Sequence, residues 1–141
     1  MPLTKRRERF ELIAAGNDAT LREFAEWIGS EVGFDMVRGP ELGMVMMGAA
    51  DVVGGIHFNL GEVLVTQAEV EVAGERGWFM AMGRDYARAL DGAKLDAAAE
   101  AGLEIWRKAE EALLADRAAR ERERRRQWKK ILRTKVDFEV M

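Results

Sequence analysis

Between Phe34 and Met82 the chain reads as short, strand-like apolar runs joined by connections too brief to hold a helix, and this spacing constrains the fold most. A parallel crossover needs a dozen or more residues, usually with a helix, so consecutive strands here must run antiparallel. Phe34–Arg38 alternates like a half-buried strand, Gly39-Pro40-Glu41 reads as a turn, and Leu42–Met47 is a short apolar run. Gly48 to Gly55 is small and glycine-rich, suited to a loop. A third strand is expected over Glu62–Val72. Its apolar side changes from Val63 and Val65 to Ala68, Val70 and Val72, which predicts a β-bulge near Thr66-Gln67. A turn over Gly74–Gly77 then leads into Trp78–Met82, unbroken in apolar character and expected to be covered on both sides.

Helices are expected on either side of this meander. Phe10, Ile13 and Ala14 recur at helical spacing before Gly16-Asn17. Leu21, Phe24, Ala25, Trp27 and Ile28 form a second stripe, with Asp18 as its expected N-cap. Asp85 is placed to cap a third, alanine-rich helix through Ala99, in which Gly92 is a weak point. Residues 103–133 read as an extended C-terminal helix whose second half is almost wholly charged, and Thr134–Met141 alternates like an extended tail. The expectation is a single α+β domain over 1–141, with about four antiparallel strands, N-terminal helices, and a long C-terminal helix plus extended tail.

The 141 residues are too few for two domains with separate cores. A formal charge of −3 supplies no general attraction to nucleic acid or acidic membranes. With no cysteine and one histidine, the chain has no disulfide, no cysteine nucleophile and no thiolate or two-histidine metal site of its own. No run approaches the roughly 18 apolar residues of a membrane span, so a cytoplasmic protein is expected.

Several short strings occur in a distinctive order: Glu41-Leu42-Gly43-Met44-Val45, Phe58-Asn59-Leu60-Gly61-Glu62 with Val65-Thr66, Gly83-Arg84-Asp85, and Thr134-Lys135-Val136-Asp137-Phe138. Together they resemble the G subunit of bacterial carbon–phosphorus lyase, the PhnG family, across most of the chain. The resemblance implies a scaffold subunit that works beside the I, H and J subunits, with the K and L proteins as further associates. In that system G, H, I and L together replace the adenine of MgATP with a phosphonate, giving a ribose 1-phosphonate 5-triphosphate. The nucleosidase ability is associated with the I subunit, so the resemblance implies a non-catalytic part of an enzyme complex. MgATP is then a substrate of the complex, and no cofactor is expected on this chain alone. Gly48-Ala49-Ala50 and Gln67 stand where many members carry arginines, which removes two possible anion contacts.

The polar residues inside the matching strings, Glu62, Thr66, Arg84 and Asp85, are the candidate binding residues; none is assigned a catalytic or metal-binding role. Arg84 can offer a two-pronged donor to phosphate, and Glu62 can accept from a ribose hydroxyl. The structural alternative is that Asp85 caps its helix, Arg84 pairs with Glu62 or another acid, and Thr66 marks the bulge. His57 can titrate near neutrality but has no partner by spacing. The basic run from Arg117 to Lys130 leaves a nucleic-acid role open, although Glu121 and Glu123 interleave with it as on a solvated helix. Met44, Met46, Met47, Met80 and Met82 are expected to fill the core. Trp106 and Trp128 are expected to be anchors at a subunit contact.

Overall fold

Three antiparallel strands, β1 (Asp35–Ala50), β2 (His57–Val72) and β3 (Glu75–Met82), form one sheet in the order β1-β2-β3. The computed structural model describes residues 3–50, 54–55 and 57–140. Its helices are α1 (Leu3–Ala14), α2 (Asp18–Glu31), α3 (Tyr86–Glu100) and α4 (Glu104–Val140). The α+β class holds. The four expected strands become three because Gly39-Pro40 is not a turn but an irregularity within one long strand. β1 slips against β2 between Met36 and Arg38 and again between Arg38 and Glu41. Proline lacks a backbone donor and is tolerated in a sheet only at an edge or a bulge, and β1 supplies both. Of the loop expected over Gly48–Gly55, Gly48 to Ala50 prolong β1, while Asp51 to Val53 lie outside the described residues.

The change of apolar side on β2 has a different cause from the expected bulge. Pairing with β3 is unbroken from Val65↔Met82 to Val72↔Glu75, so nothing is inserted at Thr66-Gln67. Thr66, Ala68, Val70 and Val72 are fully buried on the side that faces the helices. Before Val65 the third strand and the helical layer have ended, and the alternation no longer divides an inside from an outside. β2 and β3 are joined by the two-residue turn Ala73-Gly74, with φ of 51° and 82°. Both values are positive, as the tight hairpin that matches strand twist requires.

Gly77 belongs to β3 and lies directly against the backbone of α3. A Cβ there would lie 2.1 Å from the Ala97 nitrogen and 2.3 Å from the Ala93 oxygen. Gly92 answers it from α3, where a Cβ would fall 2.3 Å from the Phe79 ring. These two glycines let α3 lie flush on the sheet, so the apparent weak point at Gly92 is a packing requirement. Leu21 and Ile28 of α2, Leu95 of α3, and Ile105, Trp106, Ala109 and Leu113 of α4 complete the core. Trp106, 8% exposed, packs inside its own chain and is not a subunit anchor.

Two helix boundaries differ from expectation. Asn17, not Asp18, is the N-cap of α2, and its Oδ1 accepts a hydrogen bond from Arg120 of α4 instead of capping. At the other end of the chain the backbone stays helical to Val140, so the extended tail is corrected to a continuation of α4. Alternation over a few residues cannot hold a strand without a neighbour, whereas an existing helix gains a hydrogen bond with each residue added.

Candidate functional site

Two of the four candidate residues meet. Thr66, completely buried, donates from Oγ1 to the Gly83 carbonyl at 2.7 Å and accepts from the Asp85 N–H at 3.0 Å. Asp85 accepts from the Arg88 N–H at 3.1 Å and so caps α3, as the structural alternative expected. Thr66 therefore fastens the middle of β2 to the corner where β3 passes into α3, and both oxygens of this corner are engaged. Its hydroxyl has no capacity left for an incoming ligand beyond one lone pair.

Glu62 and Arg84 do not join them. Glu62 lies opposite Met46 on β1, four residues before Thr66 and so about 13 Å along the strand. Both Glu62 and Arg84 are exposed, and neither has an ion-pair partner among the described residues; the expected pairing of the two is absent. His57 lies on β2 opposite Ala50, and its side chain is outside the described ones. A groove of about 480 Å³ between α1 and α4 is lined by Lys5, Glu8, Arg9, Glu110 and Arg117, with charges of both signs intermixed. Among the described residues, no group of His, Asp and Glu side chains is arranged to hold a metal.

The polar groups most deeply built into the fold are ones that sequence reading missed, because their partners lie far apart in the chain. Asp96, fully buried, accepts from Arg6 at 2.8 Å, from Arg9 at 2.8 Å and from the Trp78 N–H at 2.9 Å. Arg9, 3% exposed, also binds Glu100. Asp96 thereby ties α1 to α3 and satisfies a donor on the outer edge of β3. Arg88 reaches from α3 to the carbonyls of Ile13 (3.2 Å), Ala14 (2.5 Å) and Gly16 (2.9 Å), where a cation answers the negative end of α1. Lys94 sits 4.0 Å over the Phe34 ring, and burial lowers its pKa. Burial raises that of Asp91, against the opposing pull of Arg22 and Lys94. A Lys or Asp inside an alanine-rich helical pattern reads as solvent-facing, so only the packing reveals these groups.

Two parts of the molecule project from this body. Beyond β3, residues 44–50 and 57–64 form a two-stranded ribbon, with Met44, Val45, Met46, Leu60 and Leu64 exposed. Met44 and Met46, at 56% and 60% exposure, are corrected from core residues to surface ones, as is Met82. The second projection is α4 after Leu113, its last buried residue; every side chain from Arg117 to Thr134 is exposed. Asp116 and Arg120 bind Thr20, Asn17 and the Ala15 carbonyl, and so fix the angle at which α4 leaves the body.

The chain matches the family described as "Phosphonate metabolism protein PhnG" over residues 4–141. It belongs to the PhnG family. A relative from Rhizobium meliloti (strain 1021), named alpha-D-ribose 1-methylphosphonate 5-triphosphate synthase subunit PhnG, is 36% identical over 141 residues, covering 99% of this chain and 89% of the relative. On this PhnG fold the distinctive strings come together. Leu42 to Met46 pair with Thr66 to Glu62 where the ribbon leaves the sheet, and Thr66 bonds to the Gly83-Arg84-Asp85 corner at its base. The last string continues the free end of α4. These strings thus build the projections and their attachment more than the core.

Proposed function

We propose that this chain is a non-catalytic scaffold subunit of the carbon–phosphorus lyase assembly, in the step that transfers a phosphonate to ribose C1 of MgATP with release of adenine. It works with the H, I and L subunits, and its ribbon and α4 bind neighbours, chiefly I and with it H and J. The K protein is a further associate. The observation that carries this reading is the contrast in how polar and apolar groups are used. Thr66, Asp85 and Asp96 are engaged within the chain, whereas nothing among the described residues covers the exposed apolar side chains of the ribbon. A two-stranded ribbon is marginal in water by itself, and an apolar patch of this kind marks a protein contact. The name of the relative, a subunit of a synthase, and the family's place in phosphonate metabolism support the same reading. A hetero-oligomer working in the cytoplasm follows from it.

The test is co-expression with the I, H and J subunits, followed by an assay of adenine release from MgATP and methylphosphonate once the L protein is added. Stable co-purification is expected, with no release from the chain alone and release that depends on it in the assembly. Turnover by the isolated chain, or an assembly equally active without it, overturns the reading.

A second reading rests on Arg84, exposed and without an ion-pair partner among the described residues, beside a corner that positions its backbone. There it contacts a phosphate or phosphonate directly, with Glu62 contributing from the ribbon. Arg84→Ala separates the two readings. Intact assembly with lost turnover supports substrate contact, and unchanged turnover removes it.

A further inference from the structure

The free end of α4 is chemically unlike the rest of the chain. Trp128, Ile131 and Leu132 are 61%, 55% and 47% exposed. Their i, i+3, i+4 spacing makes them neighbours along one stripe of the helix. Arg124 and Arg125, four and three residues before Trp128, lie on the same face by the same spacing. From Arg124 to Arg133 there are six basic residues and no acidic one, on a chain whose net formal charge is −3, which leaves −9 for the remainder. Earlier on α4 the charges alternate in sign and pair locally, as Arg107 does with Glu104 at 3.8 Å, and Arg126, off the stripe, still pairs back to Glu123 at 3.6 Å. That self-compensation stops where the apolar stripe starts.

Both features need an answer from outside. An exposed Trp with two aliphatic neighbours on one stripe is the pattern by which a helix seats itself in a groove. The surrounding cations would be repelled by a basic surface, and they find no anions of their own on that stretch. We infer that the end of α4 docks in an apolar cleft with an acidic rim on a partner protein, with Trp128 as the central anchor and Arg124 and Arg125 against the rim. This rests on the scaffold reading above and states the chemistry of the surface that receives the chain. Phosphate backbones would use the positive charges but would leave Ile131 and Leu132 in water. A lipid surface calls for an apolar face longer than the turn and a half seen among the described side chains. A protein cleft uses the cations and the apolar stripe together.

Four proteins are to be compared in co-purification with the I, H and J subunits, with affinities measured by interferometry: wild type, Trp128→Ala, the front pair Arg124→Glu/Arg125→Glu, and the back pair Arg126→Glu/Lys130→Glu. Because these side chains are exposed, circular dichroism should be unchanged in all four. Trp128→Ala is expected to weaken binding about tenfold or more, as loss of a central aromatic anchor does. The front pair should match it, and the back pair should weaken binding less than about threefold, because rim charges off the contact act mainly on encounter. If wild type binds and Trp128→Ala or the front pair binds equally well, the inference falls while the scaffold reading stands. If wild type binds none of the subunits, the scaffold reading falls and takes the inference with it. Sedimentation showing a homodimer dispersed by Trp128→Ala would make a second copy the occupant and overturn the inference. So would retention on duplex DNA or anionic phospholipid vesicles at about 0.15 M salt that both charge pairs weaken alike.

Discussion

The body and the two projections solve the same problem in opposite ways. In the body, charged and polar groups are buried and each finds its partner inside the chain: Asp96 takes three donors, Arg88 takes three carbonyls, and Thr66 both donates and accepts. In the ribbon and the end of α4, apolar side chains stand exposed among charged ones, and the backbone is organised without a core beneath it. A region satisfied internally holds its shape anywhere. A region that leaves apolar surface in water has its lowest free energy only when another molecule covers it. On the scaffold reading, the difference gives stability to one part of the chain and recognition to the other.

This division is broken most forcefully at Asp96. Removing it by Asp96→Ala takes a buried carboxylate partner from Arg9, 3% exposed, strips a partner from Arg6, and orphans the Trp78 N–H. Breaking a buried ion pair from one side costs about 3–5 kcal/mol, because the remaining charge stays buried. Urea unfolding should show a loss of that order, with assembly failing only as a consequence of unfolding. A loss below about 1 kcal/mol would mean that the cluster is solvated and that the body is not self-sufficient in the sense argued here.

The same division decides what could be read from the sequence. The helices were legible from Leu21, Ile28 and Leu113, since an apolar stripe needs only local spacing, and the Asp85 cap was legible because its partner is three residues away. The sheet was legible as antiparallel but not in its details. Gly39-Pro40 carries the composition of a turn, and only pairing with β2 turns it into an irregularity in an edge strand. The methionines misled for a related reason. An apolar strand read alone is taken for core, and whether Met44 faces a helix or water depends on where β3 ends. At the candidate site, Thr66 and Asp85 were named as possible ligand contacts; their mutual bond spans nineteen positions and appears only in the fold. Asp96, Arg9 and Arg88 left no signal, because the spacing of their partners has no period.

A milder perturbation addresses the other side of the comparison. Met44→Ser with Met46→Ser removes two thioethers that are 56% and 60% exposed. Urea stability of the isolated chain should change by no more than about 0.5 kcal/mol, as for surface substitutions away from special features. Affinity for the I subunit should fall about tenfold. Loss of stability with affinity intact would place the ribbon in the body, and the two regions would cease to be distinct.

The smallest effect sharpens the comparison within the body itself, at Asp91, which like Lys94 is a charged group there that burial disfavours more than its neighbours favour. The pKa of Asp91 is raised, first by desolvation and further by Glu26, while Arg22 and Lys94 oppose the shift. A carboxyl whose folded pKa exceeds its unfolded value favours the folded state while protonated, and that contribution is lost as pH rises from the ordinary carboxylate range through the raised value. Asp91→Asn lacks this titration. Its stability relative to wild type should therefore climb as pH rises from the ordinary carboxylate range, as read from paired urea curves at each pH. A relative stability that falls instead would mean that Arg22, at 3.6 Å, and Lys94 overcompensate the burial. Asp91 would then belong with Asp96 among the charges that hold the body together.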